Sequence, residues 1–99
     1  MKVSRSKNSD ELKAVVFGKI DTTNSHQFEN KIKPYPDGIK TLVLDFSDVD
    51  YISSAGLRVL LPLQKTMDKK GKMRLMNVND IVAEIFEVTG FKEILIYEK

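Results

Sequence analysis

Two adjacent serines, Ser53 and Ser54, separate an acidic stretch carrying Asp48 and Asp50 from an apolar pattern of helical spacing that opens at Ala55. A serine at a helix start can satisfy free backbone N–H groups with its hydroxyl. The same position favours an anion, because unpaired N–H groups and the helix dipole both act there. Ser54 therefore reads as a helix cap or as the acceptor of a phosphorylation switch. A phosphate would add about −1.5 to −2 charges and three acceptor oxygens, so a partner fitted to a neutral hydroxyl would meet a bulky dianion without any refolding. Covalent catalysis is poorly served. Ile52-Ser53-Ser54-Ala55-Gly56 lacks the leading glycine of a nucleophile elbow, and His26 is the only histidine available as a base. No phosphate-binding loop occurs, and one histidine with no cysteine does not make a metal cluster. These residues point to a non-catalytic binding protein with no cofactor of its own.

The elements that must position the serines are legible in the hydrophobic pattern. Thr41 to Phe46 is a short apolar run fit for a central strand, with Leu42 and Leu44 on one face and Val43 on the other. An acidic turn with Asp48 and Asp50 follows, then a helix from Ser54 or Ala55 to Lys70 with Gly71 as its stop. Leu57, Leu60, Leu61 and Met67 supply its apolar face, and Pro62 threatens a kink. Upstream, Lys2 to Ser6, a turn at residues 7–10 and Leu12 to Ile20 suggest an N-terminal hairpin. Asp21 to Ser25 is a cluster of cap-forming residues before a helix on which Phe28 and Ile32 share a face; Pro34-Tyr35-Pro36-Asp37-Gly38 ends it. Downstream come a strand at Met73 to Met76 and a third helix capped by Asn79. Ile81, Val82, Ile85 and Phe86 face inward on it, Gly90 closes it, and a last strand follows at Ile94 to Tyr97. Strands alternating with helices after a hairpin predict an α/β fold with a mixed four- or five-stranded sheet and right-handed crossovers.

Ninety-nine residues suit one domain spanning residues 1–99, with a single modest core. A net charge of +2 gives no basis for general nucleic-acid binding. The absence of cysteine accords with a reducing cytoplasm, and no run approaches a membrane span. Arg58, Lys65, Lys69, Lys70 and Lys72 form a basic strip whose default reading is a solvated face. Met67, Met73 and Met76 read as core filling.

Leu44-Asp45-Phe46-Ser47-Asp48-Val49-Asp50-Tyr51-Ile52-Ser53-Ser54-Ala55-Gly56-Leu57 resembles the signature of the STAS domain, the family of bacterial anti-sigma factor antagonists. Gly18-Lys19-Ile20-Asp21 and Phe86-Glu87-Val88-Thr89-Gly90-Phe91 resemble two further elements of that family, in the right order. The resemblance implies that Ser54, two places before Gly56, is the phosphorylated serine and that Asp21 lies near it. In place of Ser53 the family most often has aspartate. It further implies an anti-sigma factor with serine-kinase activity as the partner, bound by the unmodified form, and a serine phosphatase that restores binding. The contact surface would comprise Asp21, Asp48, Asp50, Ser53, Ser54, Gly56 and Leu57. The alternative is a STAS interaction module of a transporter or sensory assembly that binds without switching.

Overall fold

The structure, a computed structural model, describes residues 2–33 and 38–99. Four strands form one sheet in the order β1 (Lys2–Asn8), β2 (Glu11–Ile20), β3 (Thr41–Ile52), β4 (Lys72–Met76). β1 is antiparallel to β2, and β2, β3 and β4 run parallel. Three helices connect or follow the parallel strands: α1 (Ser25–Ile32), α2 (Ser54–Lys70) and α3 (Asp80–Thr89). The sheet is thus mixed, with the expected hairpin and three helices. α1 ends at Ile32, and Lys33 is extended, as a residue preceding proline prefers to be. The predicted stop at Pro34-Tyr35-Pro36-Asp37 lies outside the described residues.

The helices pack on one face of the sheet. Leu12, Ala14, Val16 and Ile20 of β2 and Leu42, Leu44 and Phe46 of β3 form a single buried cluster with Phe28 and Ile32, Leu60 and Leu63, and Val82 and Phe86. Val43 is buried outside that cluster, on the reverse face. α2 runs through Pro62. The carbonyl of Arg58, four residues back, loses its helical donor there, and Arg58 is exposed, where water can replace it. The buried face of α2 includes Val59, Leu63 and Gln64, while Leu61 sits at its margin.

β3 is longer than the sequence suggests, and the predicted acidic turn is part of it. Two register shifts against β2, between Val15 and Phe17 and between Gly18 and Lys19, change its inward spacing from every second residue to every third. Phe46, Val49 and Ile52 all reach the core as a result. Bulges of this kind keep a strand paired while re-aiming its side chains. Gly18 has φ +94°, which only glycine adopts without strain.

Asp45 secures the first irregularity. Its Oδ1 accepts from the Ser47 N–H at 2.9 Å and from Asn77 Nδ2 at 3.1 Å, and Lys13 Nζ lies 3.9 Å from Oδ2. One buried carboxylate thereby ties the bend of β3 to the turn after β4. Asn79 caps α3 as predicted, accepting from the Val82 N–H at 2.8 Å, and it also donates to the Val49 carbonyl at 2.8 Å.

Two expectations fail in the C-terminal third. Val82 and Phe86 face inward as expected, but Ile81 is 59% exposed, because the cap at Asn79 and the phase of α3 turn Ala83 inward in its place. Residues Ile94 to Tyr97 do not form a strand. After a short 3-10 helix (Phe91–Glu93), that segment makes one parallel bridge from Tyr97 to Leu75, while Tyr97 packs edge-on against Phe86 with ring centroids 5.0 Å apart.

α2 is seated by close packing at Gly56. A Cβ there would lie 2.6 Å from both Ile20 Cγ2 and Ile52 Cγ1. Both atoms are bonded directly to Cβ, so neither can swing clear as the far end of a flexible side chain can, and both isoleucines are buried. Gly56, expected to border a docking surface, packs against the core. Alanine would gain about 1 kcal/mol in helix propensity, but overpacking costs about 1–3 kcal/mol. Gly56→Ala is expected to lower the unfolding midpoint in urea; a variant as stable as the wild type or more so removes the packing argument.

Asp45 predicts a pH response. Burial alone would raise its pKa, but the Ser47 N–H, the Asn77 side chain, the Ser47 side chain and the Lys13 charge together hold it below its ordinary value. A carboxylate depressed in the folded state stabilises above its unfolded pKa of about 3.9, and that contribution fades as pH falls through the lower folded value. Asp45→Ala should cost about 1–3 kcal/mol at neutral pH by removing the charge-assisted hydrogen bonds from Ser47 and Asn77, and the deficit relative to wild type should shrink below pH 4. A deficit that is constant down to the acid limit would show that the charge of Asp45 plays no part.

Candidate functional site

The C-terminal ends of β2 and β3 meet the N-terminus of α2, and this junction gathers most of the predicted site residues. The Ser53 N–H donates to the Ile20 carbonyl at 2.8 Å, so the start of α2 is pinned beside Asp21. Ser53, not Ser54, is the cap. Its Oγ accepts from the Gly56 N–H at 3.4 Å, and its carbonyl accepts from the Leu57 N–H at 3.0 Å. Ser54 is the first helical residue and is exposed, with no hydrogen bond to its hydroxyl among the described residues. The two roles that compete for Ser54 in the sequence are thus divided between neighbours: Ser53 closes the helix, and Ser54 presents a free hydroxyl at its positive end.

Asp21 is a turn residue. Its Oδ1 accepts from the Thr23 Oγ1 at 2.6 Å and from the Thr23 N–H at 2.9 Å. Those bonds, chiefly the one from the Thr23 hydroxyl, hold its pKa below the ordinary aspartate value. Asn24 completes the turn, accepting from the Asp21 N–H at 2.9 Å and donating to the Lys19 carbonyl at 2.7 Å. Asn24 stands at the N-cap position of α1, but its side chain is committed to this turn and does not cap the helix. The loop therefore presents an ionised carboxylate in a fixed position next to the start of α2.

Other predicted residues separate. Asp50 is exposed near the end of β3, close to the junction. Asp48 is exposed four residues before Ile52, about 13 Å back along the strand by its rise. It pairs across from Phe17, whose side chain lies outside the helix-covered core, so the two share the open face of the sheet. Gly56 and Leu57 point into the core, and Leu57 is only 4% exposed. Neither offers a side-chain surface to a partner.

Sequence reasoning missed the groove beside Ser54. α1 contributes Ser25, His26 and Glu29, and α2 contributes Ala55, Arg58 and Val59, to an open depression of about 230 Å³. Glu29 is paired within α1 to Lys33 at 3.4 Å. The groove depends on the crossing of two helices, so no local pattern announces it. Among the described residues, no three histidine, aspartate or glutamate side chains converge as a metal site, and no helix is long and apolar enough to cross a membrane.

Comparison with known proteins agrees with this architecture. The STAS domain model matches residues 6–99. BtrV of Bordetella bronchiseptica, provisionally named an anti-sigma factor antagonist, is 36% identical over 96 residues, covering 95% of this chain and 83% of that protein. The anti-sigma-B factor antagonist of Bacillus subtilis is 27% identical over 89 residues, covering 89% and 82% respectively. The solved structure of the anti-sigma factor antagonist SpoIIAA in its unphosphorylated form superposes with a TM-score of 0.80 at 17% identity, covering 99% of this chain and 89% of that one, a likeness of fold. With the signature strand, the capped α2 and the Asp21 turn all in place, the chain belongs to the STAS domain family.

Proposed function

We propose that this protein is a cytoplasmic anti-sigma factor antagonist switched by phosphorylation of Ser54. The observation that carries the reading is the division of labour at the start of α2, where Ser53 caps and Ser54 is exposed and unengaged. In the unmodified state the surface around Ser54, the Asp21 turn, Asp50 and the groove between α1 and α2 binds an anti-sigma factor with serine-kinase activity, and the sigma factor is released. The kinase then transfers the γ-phosphoryl group of its ATP to Ser54. The Oγ–P bond forms as the bond to ADP breaks, and the hydroxyl proton passes to a base of the kinase. The new dianion stands beside Asp21 and Asp50, at a surface shaped for a neutral hydroxyl, and the complex weakens. A serine phosphatase reverses the step. The anti-sigma factor antagonists among the relatives support the general activity; ATP belongs to the kinase, and no cofactor is assigned to this chain.

Ser53 favours a second reading, a STAS module that binds without switching. It stands where the family most often has aspartate, keeping hydrogen-bonding capacity but removing a negative charge beside the acceptor.

Incubation with the anti-sigma kinase of the same genome and ATP, followed by intact mass measurement, distinguishes the two. Wild type should gain one phosphoryl group and Ser54→Ala none. Because the cap is Ser53, Ser54→Ala should change stability by less than about 0.5 kcal/mol, whereas Ser53→Ala should cost about 0.5–2 kcal/mol. Ser54→Asp should fold normally but bind the kinase more weakly, and the phosphorylated protein should show a coupling of about 1–3 kcal/mol against binding. Labelling of Ser54→Ala as fast as wild type overturns the assignment of the acceptor. Tight binding with no labelling of wild type establishes the non-switching module instead.

A further inference from the structure

Arg58 is the first charged residue of α2, four positions after Ser54 and on the same helix face. Residues at this spacing have Cβ atoms about 5–6 Å apart. Both side chains are exposed. The Arg58 guanidinium has no ion-pair or hydrogen-bond partner among the described residues, although it borders the groove that Glu29 also lines, because Glu29 is engaged with Lys33. Its position runs against ordinary helix electrostatics. A cation early in a helix faces the positive end of the dipole, and α2 has no acidic residue in its first turn to compensate. An anion on Ser54 would supply that compensation.

We propose that Arg58 is the intramolecular ligand of the Ser54 phosphate. This deepens the switch reading and rests on it. The planar guanidinium donates two parallel N–H bonds to phosphate oxygens, a geometry arginine suits better than lysine. The pairing turns Arg58 from the groove toward the phosphate. Modification then changes the docking surface at two points, adding a dianion and engaging the cation that bordered the groove. It also favours the fully ionised phosphate, the form that repels the partner most. The other charged or titratable side chains on the elements that meet here include Lys19 near the end of β2, Asp21 just after it, Asp50 on β3, and His26 and Glu29 on α1.

The test uses full-length protein with phosphoserine incorporated at position 54 during translation, so no kinase is needed. Phosphorus NMR follows the second ionisation of that phosphate with pH in the wild-type background, in Arg58→Gln and in Lys65→Gln. Lys65 lies about 16 Å from Ser54 along the helix axis and serves as the control. All other charges are common to the three proteins. Arg58→Gln should raise the phosphate pKa by about 0.15–0.4 unit, the difference should contract as salt is added, and Lys65→Gln should leave the pKa in place. A phosphate that titrates identically with and without Arg58, or shifts equally in Lys65→Gln, overturns the pairing. Neither result bears on whether a kinase modifies Ser54, which the labelling experiment decides separately.

Discussion

The contact on which the site depends is the meeting of Gly56 with Ile20 and Ile52. It has no room for a single added carbon, so the first turn of α2 can lie directly on the ends of β2 and β3. The Ser53 N–H then reaches the Ile20 carbonyl, and Asp21, the next residue of the chain, is fixed beside the start of the helix. A larger residue at position 56 would lift the helix and open that junction. The glycine of the signature is thus a packing requirement, and the candidate site residues are exposed because the residues between them are buried. In the run from Ile52 to Leu57, the inward members are Ile52, Gly56 and Leu57, which leaves Ser54 on the surface.

A second constraint shapes β3. A regular strand continuing from Phe46 would send every second residue inward and place Asp48 and Asp50 in the core. The two register shifts avoid this by switching to every third residue, so that Val49 and Ile52 are buried while both aspartates stay in water. The Asp45 carboxylate holds the first shift, and the Asn79 side chain holds Val49 from the opposite side. The strand's acidic content and its burial are reconciled by geometry, with neither charge buried.

This explains what could and could not be read from the chain. The helices, the hairpin and the central strand were legible because each carries its own local signal, whether an apolar period, a cap such as Asn79 or a stop such as Gly90. The acidic stretch looked like a turn because periodicity of two breaks at Phe46, and a bulge leaves no local mark that separates it from a turn. Ile94 to Tyr97 has strand composition, but among the described residues it makes one bridge at the sheet edge, from Tyr97 to Leu75. Ile81 and Val82 are equally apolar, and only the helix phase set by tertiary packing decides which is inward. At the site, the role of Ser54 was ambiguous because cap and acceptor share a residue type; one position of register, invisible in composition, assigned the cap to Ser53. The resemblance counted Gly56 and Leu57 in the contact surface, although the apolar pattern already put Leu57 on the inward face, and the helix turns both toward the core.

The separation of cap from acceptor bears on how the proposed switch can act. If Ser54 capped the helix, a phosphate would replace the capping hydroxyl, and signalling would be inseparable from helix stability. With Ser53 as the cap, its Oγ bond to Gly56 and its N–H bond to Ile20 both survive modification of the neighbouring side chain. The N-terminus of α2 favours the added charge, while Asp21, held ionised by the Thr23 bonds, resists it. Because these effects oppose one another, the proposed switch would not depend on a large change in the stability of the fold. A partner meeting that surface is not indifferent, because it must desolvate the new dianion or find a cation for it. In the proposed switch the free energy of modification would thereby be directed into binding, as a regulator stable in both states would require.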